Sequence, residues 1–116
     1  MIWLWISGLL MTVTAAIHSV AGEKMLIGPI LAARQNGIST VRGRKVLRTA
    51  WHLTSAFMLT NALVVVWPNT EAGLRVVIGG FWLVVGLFSL ISSRGQHVGW
   101  PTLTGSGLAA LIGSWK

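Results

Sequence analysis

The chain contains no cysteine, no tyrosine and no aspartate, and its only acids are Glu23 and Glu71. The lack of cysteine excludes disulfides, thiolate metal sites and a cysteine nucleophile, and leaves no mark of a redox compartment. Acid, base and ligand chemistry is left to His18, His52, His97 and the two glutamates. Charge of either sign is scarce, at 9% of 116 residues. No phosphate loop, nucleophile elbow or zinc-protease motif is present. The glycine-rich strings follow no strand, so a dinucleotide reading fails as well.

What fills the chain is apolar: hydrophobic residues make up 53%. They fall into four stretches near the length of a bilayer span, at about 2–22, 49–67, 74–92 and 98–115. The pattern predicts one integral membrane domain, an all-α, four-helix transmembrane bundle over 1–116. Ser19-Val20-Ala21 ahead of Gly22 has the small residues of a signal-peptide cleavage site. However, no Lys or Arg leads the segment and its apolar run is longer than a usual h-region, so a span is the better reading. The 23–48 connector begins with Glu23-Lys24, continues apolar from Met25 to Ala33, then turns polar and basic. The 25–33 stretch is too short to cross by itself and is expected to be an interfacial or partly helical connector. Gln35-Asn36-Gly37 and Gly43 read as turns, and short turns at 68–73 and 93–97 make spans two, three and four antiparallel neighbours.

Net charge is +7. In a soluble chain this would suggest nucleic acid. Here the basic residues lie in loops, where they follow the positive-inside rule and meet anionic lipid. The connector and the 93–97 turn hold Lys24, Arg34, Arg42, Arg44, Lys45, Arg48 and Arg94; the opposite side holds Arg75 and Lys116. That bias predicts a cytoplasmic connector and periplasmic termini in a bacterial inner membrane. Trp3, Trp5, Trp67 and Trp115 would mark the outer interface, and Trp51 and Trp100 the inner one; Trp82 lies deeper.

On this topology His18 lies about 6 to 8 Å inside Glu23 and His52 about 6 Å inside Arg48, at 1.5 Å per residue. His97 sits at the mouth of span four, so three helices bring an imidazole to one level. Ionisable groups in spans usually face the bundle interior and often mark function. His18, His52, His97 and Glu23 form a candidate metal site, with Zn, Fe or Cu as the ion. Alternatively, His18 and His52 are the axial pair of haem b. Trp51 and Arg48 are candidate cofactor contacts, and a Trp51-His52 pocket open to the acyl region would admit a quinone, giving an oxidoreductase. A continued helix would put Glu23 about 140° from His18, so a break at Gly22 is expected if Glu23 joins. The other reading is a small transporter, channel or interaction subunit with structural histidines. Gly105, Ala109 and Gly113 recur every fourth residue and offer a packing face, within the chain or between copies. Gly79 and Gly86 share a face on span three.

The stretches His18-Ser19-Val20-Ala21-Gly22-Glu23-Lys24 and Ala50-Trp51-His52-Leu53-Thr54 resemble segments of small uncharacterised bacterial four-span integral membrane proteins. The resemblance covers about the first half of the chain. It implies the four-span architecture and no known activity.

A periplasm-active reporter fused after Lys116 is expected to be active, and a cytoplasm-active one silent. The reverse pattern would overturn the orientation.

Overall fold

The computed structural model describes residues 1–115; Lys116, counted above on the terminal side, lies outside the described residues. All regular structure among the described residues is helical. Helix α1 (Ile2–Gly22) runs through a π turn (Glu23–Ile27) into α2 (Gly28–Ala33). A 3-10 turn (Asn36–Ile38) leads to α3 (Val41–Val66), followed by α4 (Ala72–Ser93) and α5 (Trp100–Ser114).

The connector is more helical than expected, most clearly at its basic end. Residues 25–33 prolong the first helix. Pro29 is tolerated because it falls in the first turn of α2, just after the π turn has already shifted the ladder. Farther on, the basic residues from Arg42 to Arg48 form the first turns of α3. Gly43 is helical there, and Thr40 Oγ1 caps its N–H at 3.0 Å. The backbone of Gly37 passes so close to Gly43 that a Cβ would not fit. The expected turn after α4 is present. Gly95 there has φ +82°, a conformation that favours glycine, and its N–H reaches Leu90 O at 2.9 Å.

Three helices are long and apolar enough to cross a membrane: Ile2–Ala33, Val41–Val66 and Ala72–Ser92. Their outer faces carry Phe57, Phe81, Phe88 and Ile91, which are 61–75% exposed. Side chains of this size on contiguous helix faces are matched to lipid rather than water. With 15 residues, α5 spans about 22 Å and is shorter than the ~30 Å hydrocarbon core.

Neighbouring helices run antiparallel, with α1 between α3 and α5 and α4 packed on the far side of α5. Small residues set these seams, because lipid offers no hydrophobic drive and backbones must approach closely. Gly79 and Gly86 of α4 face Gly107, Ala110 and Thr104 of α5. Gly105 and Gly113 lie against Leu10 and Leu4 of α1, and Ala109 between them is buried. The row that suggested self-association is therefore covered within the chain by α1. Ser7, fully buried, donates to Ser106 O at 2.7 Å across the same seam.

Helices α3 and α4 touch little, although a short turn joins them. Arg75 clamps them at that turn, donating to Val65 O at 2.9 Å and Trp67 O at 2.6 Å, where a cation also suits the C-terminus of α3. Beyond it they separate, because the glycines of α4 draw it onto α5 and α3 has no glycine after Gly43. Trp82, Met58 and Val85 occupy part of the gap and join the core of Leu4, Met11, Val65 and Ala110. The expectation of antiparallel neighbours thus holds for α4 with α5, but for α3 with α4 only near their turn.

A Cβ at position 107 would meet the Leu83 backbone nitrogen at 2.5 Å, whereas one at position 80 would meet nothing within 4 Å. Gly107→Val is expected to destabilise the fold by about 1–3 kcal/mol. Gly80→Ala should be neutral or stabilising by up to about 1 kcal/mol. Thermal unfolding in detergent would compare them, and equal midpoints would refute the tight α4–α5 seam.

Candidate functional site

The α1–α3 seam carries a continuous run of polar contacts at the connector end. Arg48 grips Glu23 with two bonds, Nε to Oε1 at 2.8 Å and Nη2 to Oε2 at 3.2 Å. The same Oε1 lies 3.1 Å from His52 Nε2. The other His52 nitrogen, Nδ1, lies 3.0 Å from Ser19 Oγ. Ser19 Oγ is 2.7 Å from Ser55 Oγ, which is 2.8 Å from His18 Nδ1. Two helices thus contribute three residues each to one hydrogen-bonded chain.

Helical spacing explains the alignment. Ser19 and Glu23 are four apart on one face, as are Arg48 and His52, with Ser55 one turn on. The expected break at Gly22 does not occur. Glu23 reaches His52 with the helix intact, because Ser19 rather than His18 is its partner on that face. Ser19 is the functional candidate that sequence reasoning missed. Its signal was the Ser19-x-x-x-Glu23 spacing opposite Arg48-x-x-x-His52.

Trp51 lies flat on His18, with ring centroids 4.1 Å apart and planes at 9°. Its indole N–H donates to His18 O at 2.7 Å. The stack needs Gly22, since a Cβ there would lie 2.6 Å from Trp51 Cζ2. Trp51 thereby positions the imidazole, while Arg48 is committed to Glu23.

His97 belongs to the turn before α5. Its Nδ1 accepts from Gly99 N–H at 3.0 Å, so in neutral His97 the proton resides on Nε2. His18, Trp51 and His97 together line a cavity of about 400 Å³. Ile17, Met58, Val85, Val98 and Leu103 supply much of its apolar wall. The cavity lies where α3 and α4 diverge, and exposed Met25 and Val98 stand at its rim. No described residue hydrogen-bonds Nε2 of His18 or of His97.

The three predicted histidines therefore divide their work. His18 belongs to both chain and cavity, His52 to the chain, and His97 to the cavity. Among the described residues, no three His, Cys, Asp or Glu side chains gather as a group able to hold a metal ion. Both nitrogens of His52 are occupied by Ser19 and Glu23. No protein-family model, curated protein or solved structure matches the chain.

Gly22→Val is expected to push Trp51 off His18 at a cost of about 1–3 kcal/mol. Gly37→Ala, where an added Cβ meets nothing within 4 Å, is the control. Unfolding midpoints and tryptophan emission would test this, and an unchanged spectrum and midpoint in Gly22→Val would contradict the stack.

Proposed function

We propose that this chain crosses a bacterial inner membrane four times, with α5 as its short fourth span and the basic connector in the cytoplasm. In this reading it binds a small lipid-soluble ring compound of the quinone class between α1, α3, α4 and α5. The observation that carries the reading is the single cavity lined by His18, Trp51 and His97. Its volume of about 400 Å³ falls in the usual range of small-molecule sites, about 300–1,000 Å³. Apolar walls with a few convergent polar atoms suit a ligand that arrives through the acyl chains.

The polar atoms are matched to such a ring. His97 Nε2–H donates to a carbonyl oxygen. His18 Nε2, when its proton is on Nδ1, accepts from a hydroxyl. One ligand presenting both groups, a partly reduced quinone or a related phenol, satisfies both imidazoles. His52 serves this site indirectly, through Ser19 and Ser55. The metal ion (Zn, Fe or Cu) or haem b expected from the sequence is the competing occupant.

The protein is to be purified in detergent and its lipid extract analysed by mass spectrometry, alongside an absorption spectrum and metal analysis. A short-chain quinone is then titrated against tryptophan fluorescence. Saturable quenching is expected, and Val85→Trp, which fills the cavity, should abolish it. His97→Phe removes one donor and should weaken binding about 5-fold, the equivalent of about 1 kcal/mol. Quenching that is identical in Val85→Trp, or a stoichiometric haem or metal, would overturn the proposal.

A further inference from the structure

The chain from His18 to Glu23 contains a proton count with consequences beyond ligand binding. Each serine hydroxyl has one proton and sits between two partners. Glu23 as a carboxylate can only accept, so His52 Nε2 must donate to it. In neutral His52, Nδ1 is then an acceptor and takes the Ser19 proton. While His52 stays neutral, Ser19 must in turn accept from Ser55, and Ser55 from His18 Nδ1–H; the opposite order, Ser19 donating to Ser55 as in the structure, is the one that goes with a charged His52. For neutral His52 every heteroatom is satisfied in this one direction, and His18 Nε2 is left as a lone pair at the cavity.

From this geometry we infer that His18, Ser55, Ser19 and His52 form a proton relay between the cavity and the Glu23–Arg48 pair at the membrane edge. This inference rests on the cavity reading for its physiological proton donor, a hydroxyl-bearing occupant or water. The geometry of the relay stands apart from it.

The step balances. His18 Nε2 takes a proton from the donor's hydroxyl. Its Nδ1 proton passes to Ser55, the Ser55 proton to Ser19, and the Ser19 proton to His52 Nδ1. His18 ends neutral with its proton on Nε2, both hydroxyls keep one proton but point the other way, and His52 becomes an imidazolium against the Glu23 carboxylate. No bond between heavy atoms changes. The donor keeps the negative charge, and the positive charge appears on His52. The same steps in reverse carry a proton from the edge to the cavity.

The groups that surround the relay suit this charge movement. Glu23 on the π turn faces His52 directly, and Arg48 on α3 keeps Glu23 in place through both oxygens. Trp51 holds the His18 ring by stacking. His97, from the turn before α5, is the other titratable group at the cavity. The contacts between successive relay atoms are 2.7–3.0 Å, within the range for proton transfer along hydrogen bonds.

The test is nitrogen-15 NMR of the histidine rings in the full chain, in nanodiscs without added quinone, across a pH series. With His52 neutral, His52 is expected as Nε2–H and His18 as Nδ1–H. As His52 becomes charged, His18 should switch to Nε2–H in step. In Ser19→Ala, the His18 switch no longer follows the charge on His52. Ser19→Thr, which keeps a hydroxyl, restores the coupling. Two results would each overturn the relay: wild-type His18 as Nε2–H while His52 is neutral, or a Ser19→Ala protein in which the switch still tracks His52. Because no quinone is present, a failure here leaves the binding proposal standing, and failure of quinone binding leaves the relay standing.

Discussion

A polar side chain on a membrane-facing helix has little water to turn to and must find its partner inside the protein. That constraint organises the whole α1–α3 seam. His18, Ser19 and Glu23 on one helix, and Arg48, His52 and Ser55 on the other, satisfy one another in sequence. Once these pairs form, the register of α1 against α3 follows, and with it the place of Trp51. Trp51 then orients the one imidazole of the set that also reaches the cavity.

The cavity has a different origin. It exists because close packing is unevenly distributed around the four long helices. Glycines on α4 and α5 let those backbones meet, and small residues of α5 lie against α1. Helix α3 has no glycine after Gly43, and the α3–α4 contact opens beyond the Arg75 clamp. Large side chains such as Trp82 and Met58 fill part of the opening, and the remainder is the cavity.

Much of this was legible along the chain. Long apolar runs and the concentration of Arg and Lys in one connector pointed to membrane helices, and three helices have the length and apolar character to cross. Trp82 was expected to lie deep and is buried. The Gly79 and Gly86 face was readable from a seven-residue spacing. His18, His52, Glu23, Trp51 and Arg48 were singled out and lie together along one seam, with His97 across the cavity from it. Ser19 was not singled out, because a serine in a span is an ordinary residue until an acid one turn away meets a histidine on another helix. Gly43, read as a turn, was misleading. It is a breaker by type, but it falls in the first turn of a helix, where a breaker does little harm.

The linear order of residues determined that the polymer is helical and apolar, which residues share a helix face, and where charge collects, since these depend on neighbours three or four positions away. Tertiary structure alone decided which nitrogen of each histidine is occupied, that Glu23 joins through His52, and that α3 and α4 part to leave a cavity. Those outcomes arise from contacts between segments far apart in sequence, and they are settled by which helices can approach most closely.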